Sequence, residues 1–219
     1  MFFAKERRLC LLSHHDLMRA FHRALRRAGL PVTLTKGYNP RPRVVFPCAL
    51  QLGIPSEDEV AEIELDEWVP PEEFARRLSR ACPEGLTIGE VKLMPPKRKG
   101  SRAVEAVYAA ELGEARIAAA REGVRRFLER DTWKIERTRP DGRALMPADI
   151  RPQVVDVWLE DVRLEDLQER GARLVMRLRL GQPGAARPRE VLAAVLGRGG
   201  DPMFDVPLKK TRTVLTGPS

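Results

Sequence analysis

The sequence is poor in the residues that would build a metal centre or a disulfide scaffold. Its 219 residues include three cysteines, Cys10, Cys48 and Cys82. An odd, widely spaced set is not a disulfide framework, and without a C-x-x-C pair or a Cys triad it offers no zinc or iron–sulfur ligand pattern. Small, half-buried thiols in a reducing cytoplasm account for them. No metal and no cofactor are expected, and the expected location is cytoplasmic. Aromatics make up 5% of the chain, so its core should be aliphatic. No run approaches the roughly 20 apolar residues of a membrane span. The opening Met1-Phe2-Phe3-Ala4-Lys5-Glu6-Arg7-Arg8 has no apolar stretch of the signal-peptide kind. Walker A, dinucleotide-binding and G-x-S-x-G patterns are all missing. Nothing reads as a self-contained active site, and a non-catalytic protein is expected.

What is present is positive charge, and it is clustered. The net charge is +8. Residues 1–48 carry ten Lys/Arg against two Asp/Glu, whereas residues 49–94 carry four against eleven. A clustered basic surface attracts polyanions through phosphate contacts and counterion release. Arginine outnumbers lysine 31 to 8, which a G+C-rich genome explains as well as guanidinium chemistry does, so the clustering carries more weight than the total.

The hydrophobic pattern gives an α+β fold. Residues 1–12 read as a strand. Ser13-His14-His15-Asp16 fits a helix-capping box, with Ser13 at the N-cap and Asp16 at N3. Leu17, Phe21, Ala24 and Ala28 then recur at helical spacing until Gly29 and Pro31 stop the helix. Strands are expected at 32–35, 44–46 and 60–65, a second helix from Pro70-Pro71, and a strand at 86–94. That order, β-α-β-β-α-β, is the ferredoxin-like split βαβ arrangement. Residues 97–103 read as a linker, with Lys97-Arg98-Lys99 a solvated charge run. The pattern then repeats less regularly. Strands fall at 104–112, 133–138, 153–159, 172–180 and 203–215. Helices fall at 114–130 (Ile117, Ala120, Val124, Phe127 and Leu128 inward) and at 188–196, and Pro140-Asp141-Gly142 makes a turn. The expectation is two ferredoxin-like modules in tandem, residues 1–96 and 104–219, the second irregular.

The first helix and the loop after it hold the candidate functional residues. His15, Arg19, His22 and Arg26 follow i, i+4, i+7, i+11, beside Asp16, Arg23 and Arg27. This is a basic strip opposite the apolar stripe. A solvated helix face is the plain alternative, but such a face usually mixes signs. Lys36-Gly37-Tyr38-Asn39-Pro40-Arg41-Pro42-Arg43 adds cations and one aromatic on a loop held open by Gly and Pro, a combination suited to single-stranded RNA. The expected nucleic-acid surface is His14, Arg19, Arg23, Arg26, Arg27, Lys36, Tyr38, Asn39, Arg41 and Arg43, with Ser13 and Asp16 as the structural cap. A Ser-His-Asp triad is not expected from contiguous residues that capping already explains. His14, His15 and His22 lack the i, i+4 pairing of a zinc helix. His14 as the general base of a metal-independent endoribonuclease is the catalytic alternative.

Leu11-Leu12-Ser13-His14-x-Asp16-Leu17-Met18-Arg19, Arg26-Arg27-Ala28-Gly29-Leu30-Pro31, Gly37-Tyr38-Asn39-Pro40-x-Pro42, Leu50-x-Leu52-Gly53-Ile54 and Ser56-Glu57-x-Glu59 together resemble the radical-SAM-linked proteins, a bacterial domain of unknown function. Arg187-Pro188-x-Glu190-Val191-Leu192 extends the likeness into the second half. Members of that family occur fused behind, or encoded beside, a B12-binding-type radical SAM enzyme, often near a ribonuclease of the E/G type. The resemblance therefore implies a radical SAM protein as partner and this chain as the accessory half. His14, Asp16, Arg19 and Asn39 match the motif. His15 departs from the family's apolar residue and Tyr38 from its common Phe. At fold level alone, tandem modules with an N-terminal histidine are also similar to CRISPR repeat-RNA endoribonucleases, whose glycine-rich loop Gly197-Arg198-Gly199-Gly200 replaces poorly. The expected function is an RNA-binding accessory protein, acting on tRNA or rRNA with a radical SAM enzyme. The alternative is a docking module for that enzyme without RNA contact.

Overall fold

A computed structural model describes residues 1–48, 51–94, 100–138, 146–164, 169–181, 184–197 and 206–216. Leu50, Lys97-Arg98-Lys99, Pro140-Asp141-Gly142 and Arg198-Gly199-Gly200, singled out above, lie outside them. The chain divides into two compact units, Met1–Ala103 with Leu215–Ser219, and Val104–Val214.

The first unit runs β1 (Phe2–Lys5), α1 (His14–Arg27), β2 (Val44–Val45), β3 (Ser56–Val60), β4 (Glu62–Ile63), α2 (Pro71–Ala81) and β5 (Leu86–Ile88). Strand β1 lies between β3 and β5 and is antiparallel to both; Phe3 sits opposite Glu59 on one side and Ile88 on the other. Strand β2 pairs with β4. The stripe on α1 is buried at Leu17, Phe21 and Ala24, and at Ala20 and Leu25 beside them. Phe3, Leu17, Phe21, Ala61 and Leu86 make one core cluster, in which the Phe3 and Phe21 rings meet edge to face at 4.9 Å. Leu25, Leu30, Phe74 and Leu78 make another. Edge-to-face contact between aromatic rings stabilises beyond area burial alone.

Several expectations change here. The strand expected at 60–65 is split into β3, which starts at Ser56, and the two-residue β4, and the strand expected at 86–94 ends at Ile88. The strand expected over 1–12 stops at Lys5, and residues Arg7–Leu11 form a 3-10 helix. Arg7 takes φ +50, a left-handed value that turns the chain out of the sheet. The Glu6 N–H donates to the Gly85 carbonyl at 2.8 Å, and Arg7 pairs with Glu84, so the turn is held by two consecutive residues ahead of β5. The strand expected at 32–35 is reduced to isolated bridges, Val32 with Leu65 and Leu34 with Pro42.

The second unit runs β6 (Arg102–Gly113), α3 (Glu114–Leu128), β7 (Lys134–Ile135), β8 (Ala148–Asp149), β9 (Val154–Leu164), β10 (Glu169–Arg179), α4 (Pro188–Leu196) and β11 (Leu208–Thr216). Residues 102 and 103, expected as linker, open β6. The strand order is β11-β6-β10-β9, with β6 and β9 both antiparallel to β10. Ala172, Leu174, Met176 and Leu178 of β10 are buried. Of the arginines between them, Arg173 faces Glu111 of β6 at 3.7 Å and Arg177 pairs with Glu105. Leu128, expected inward, is exposed. Consecutive helical residues point about 100° apart, and Phe127 takes the inward position. Strands β7 and β8 pair antiparallel with each other between α3 and β9. In the second unit the opening strand β6 is flanked by the closing strand β11 and by β10, which leads into α4; in the first, β1 is flanked by β5 and β3, and β4 intervenes before α2. The class is α+β.

Candidate functional site

Helix α1 begins where the capping pattern places it. The Ser13 hydroxyl oxygen accepts from the Asp16 backbone N–H at 3.2 Å, and the same hydroxyl donates to Asp16 Oδ2 at 2.7 Å. Asp16 Oδ1 accepts from Arg19 Nη1 at 3.3 Å. One carboxylate thus joins the cap to the first cation of the strip, and an acid in the first turn also suits the positive end of the helix dipole.

The loop that follows is a small hairpin. The Thr35 N–H donates to the Arg41 carbonyl at 2.8 Å and the Arg41 N–H donates to Thr35 Oγ1 at 3.1 Å, while the Arg43 N–H donates to the Thr33 carbonyl at 2.8 Å. These bonds close a tip of five residues, Lys36 to Pro40. Gly37 at φ +136 takes a conformation that a side chain would resist. Tyr38 at the tip is 100% exposed, and Lys36, Asn39 and Arg41 are exposed beside it.

Helix and hairpin tip meet. Arg26 Nη2 donates to the Pro40 carbonyl at 3.4 Å. His22, one turn earlier on the same row, sits below the usual histidine range, chiefly through burial and then through the Arg41 and Arg26 guanidiniums; a hydrogen bond to the Pro42 backbone works the other way. His22 is therefore a neutral imidazole wedged among cations at neutral pH. It is the joint between the two parts of the surface. The i+7 position in the basic row was its only sequence signal.

The remaining candidates separate. Arg43 is paired with Glu64 at 2.7 Å and Arg19 with Asp16. Arg27 turns to the Ala81 carbonyl at the end of α2, 2.5 Å away, and leaves the strip. Arg23, Arg26, Lys36 and Arg41 have no carboxylate partner among the described residues. His14 is exposed, its ring edge-on to Phe46 at 5.4 Å and to His15 at 5.8 Å. Neither neighbour is a carboxylate that would orient a general base. Among the described residues no group of His, Cys, Asp and Glu could hold a metal ion, and no helix is long and apolar enough to cross a membrane. The cysteines are unbridged.

Arg26, Arg41 and the neutral His22 imidazole thus come together at the joint, with Arg23 exposed on α1 and Lys36 and the fully exposed Tyr38 on the hairpin tip. The cations can hold phosphate oxygens and the ring can stack a base. No curated protein matches the chain. A family model described as an uncharacterized protein conserved in bacteria (DUF2344) matches residues 1–188, most of the length, and the chain belongs to that family.

Proposed function

We propose that this chain is an RNA-binding accessory protein that presents tRNA or rRNA to a radical SAM enzyme for modification or processing. The observation that carries the RNA half is the meeting of helix and hairpin, where Arg26 bonds Pro40 and His22 lies among Arg26 and Arg41. On this reading Arg23, Arg26, Lys36, Tyr38, Asn39 and Arg41 form the RNA surface around that joint. The radical SAM half rests on the motif resemblance between residues 9 and 65. The cations of the α1–hairpin surface support a polyanion as ligand, because Arg23, Arg26, Lys36 and Arg41 spread over a helix and a loop.

The docking reading has its own observation: Leu34 and Val45, on either side of the hairpin, are also exposed. Salt dependence separates the two, since phosphate contacts weaken steeply with salt and an apolar face does not. The test is binding of total small RNA at two salt concentrations, beside a variant with Arg23, Arg26 and Arg41 changed to Ala. Salt-sensitive binding that the variant loses while staying folded supports RNA recognition. An absence of binding at low salt removes it and leaves the docking module. RNA cleavage lost in His14→Ala, with binding intact, would establish the endoribonuclease instead.

A further inference from the structure

The C-terminal ends of α1 and α2 border an open cleft of about 440 Å³, lined by Arg27, Ala28, Arg77, Arg80, Ala81, Cys82 and Pro83. Three of its seven lining residues are arginines. Two of these are fixed by exchange between the helices: Arg27 of α1 donates to the Ala81 carbonyl, and Arg77 of α2 donates through Nε to the Ala28 carbonyl at 3.0 Å and through Nη2 to the Gly29 carbonyl. Each guanidinium thereby satisfies the orphan carbonyls of the opposite helix and offsets the negative end of its dipole. Capping alone explains Arg27 and Arg77. It does not explain Arg80, which points to the same cleft without a hydrogen bond among the described residues.

We infer that this cleft is a binding site for a phosphate monoester, separate from the surface formed by α1 and the hairpin. A guanidinium has five N–H donors, so Arg27 and Arg77 keep donors free after capping and are held in place by the bonds they already make. No carboxylate pairs with any of the three among the described residues. The remaining walls are small and apolar, and the Cys82 thiol, pushed up to about 11 by burial, stays protonated and adds no negative charge. A monoester carries close to two negative charges at neutral pH and three acceptor oxygens, which matches several guanidiniums better than a diester does. The volume suits a nucleotide-sized ligand.

The test is calorimetric titration of the full chain with inorganic phosphate, adenosine 5′-monophosphate, adenosine, and a five-nucleotide RNA with and without a 5′-phosphate. The variants are Arg80→Ala and Arg80→Glu, because Arg80 caps nothing and its loss should spare the fold. The monophosphate is expected to bind and adenosine not. Affinity should fall about tenfold or more in both variants, with melting temperatures unchanged. The Arg23, Arg26 and Arg41 triple variant should bind the monophosphate as the parent does, so this site stands or falls apart from the RNA surface. Tighter binding of the 5′-phosphorylated RNA than of the mononucleotide would identify a nucleic-acid end as the source of the monoester; the reverse would identify a free nucleotide. The inference is overturned if phosphate-bearing ligands give no binding, if adenosine binds equally, or if both Arg80 variants bind as the parent does.

Discussion

At the scale of single residues, the capping pair was legible and the partners of the arginines were not. Ser13 and Asp16 are three positions apart, and their geometry follows from helix spacing alone. Arg27 and Arg43 looked equivalent to Arg26 and Arg41 in the sequence, but their partners Ala81 and Glu64 lie 54 and 21 positions away and become neighbours only through the fold. His22 gives the sharpest consequence. Its folded pKa lies below the ordinary 6.5, so in the window just below 6.5 the unfolded chain binds more protons than the native one. The stability from keeping His22 neutral is present above that window and is lost as pH falls through it. His22→Gln should therefore lose less stability than the parent between about pH 7.5 and about pH 5.5, measured by urea unfolding at both; identical losses would remove His22 from the balance. Cys82 acts at the other end of the scale. Its thiol is raised from 9.0 to about 11, mainly by burial and against the pull of Arg27. Its contribution is present below pH 9 and lost as pH rises through that range. Maleimide should modify Cys82 more slowly in the native protein than in urea, which site-resolved mass spectrometry reads directly.

At the scale of elements, the helices were the most legible part. The apolar stripe and cap placed α1 within a residue of its observed start, and α4 spans the expected residues 188–196, closed by Gly197 at φ +69. The first strand was misread because Leu9 to Leu12 look like its continuation, whereas the turn at Arg7 depends on Glu84 and Gly85 from the far end of the unit. The packing of α3 on α4 was not visible at all. Gly123, in the middle of α3, is an unfavourable helix residue by about 1 kcal/mol relative to Ala. A Cβ there would stand well inside contact distance of the Val195 carbonyl on α4, and backbone cannot step aside as a long side chain can. The clash should outweigh the propensity, so Gly123→Ala should destabilise by about 1–3 kcal/mol. A variant as stable as the parent in urea would show that the helices do not approach this closely. By contrast, Ser13→Ala removes the cap of α1 and should cost about 1 kcal/mol while leaving the Arg80 cleft intact.

At the scale of the whole molecule, the uneven charge was plain in the sequence, but how much of it is available to a ligand was not. Residues 1–48 hold ten Lys/Arg, yet Arg7, Arg19 and Arg43 are paired with carboxylates and Arg27 lies in the cleft at the ends of α1 and α2, away from the hairpin. On the proposed surface that leaves Arg23, Arg26, Lys36 and Arg41. Each phosphate contact to a single strand contributes about −0.7 to the slope of log affinity against log salt. If each of the four holds one phosphate, the slope for an unstructured RNA should be about −3. If all ten front-end cations took part, it would be about −7. Removing Arg41 should make the slope shallower by about 0.7, whereas removing Arg43, already neutralised by Glu64, should leave it nearly unchanged. Equal effects from Arg41→Ala and Arg43→Ala would mean that net charge, and not the arrangement at the helix–hairpin joint, governs binding. The surface would then be a diffuse attractor of polyanions with no defined path for the strand.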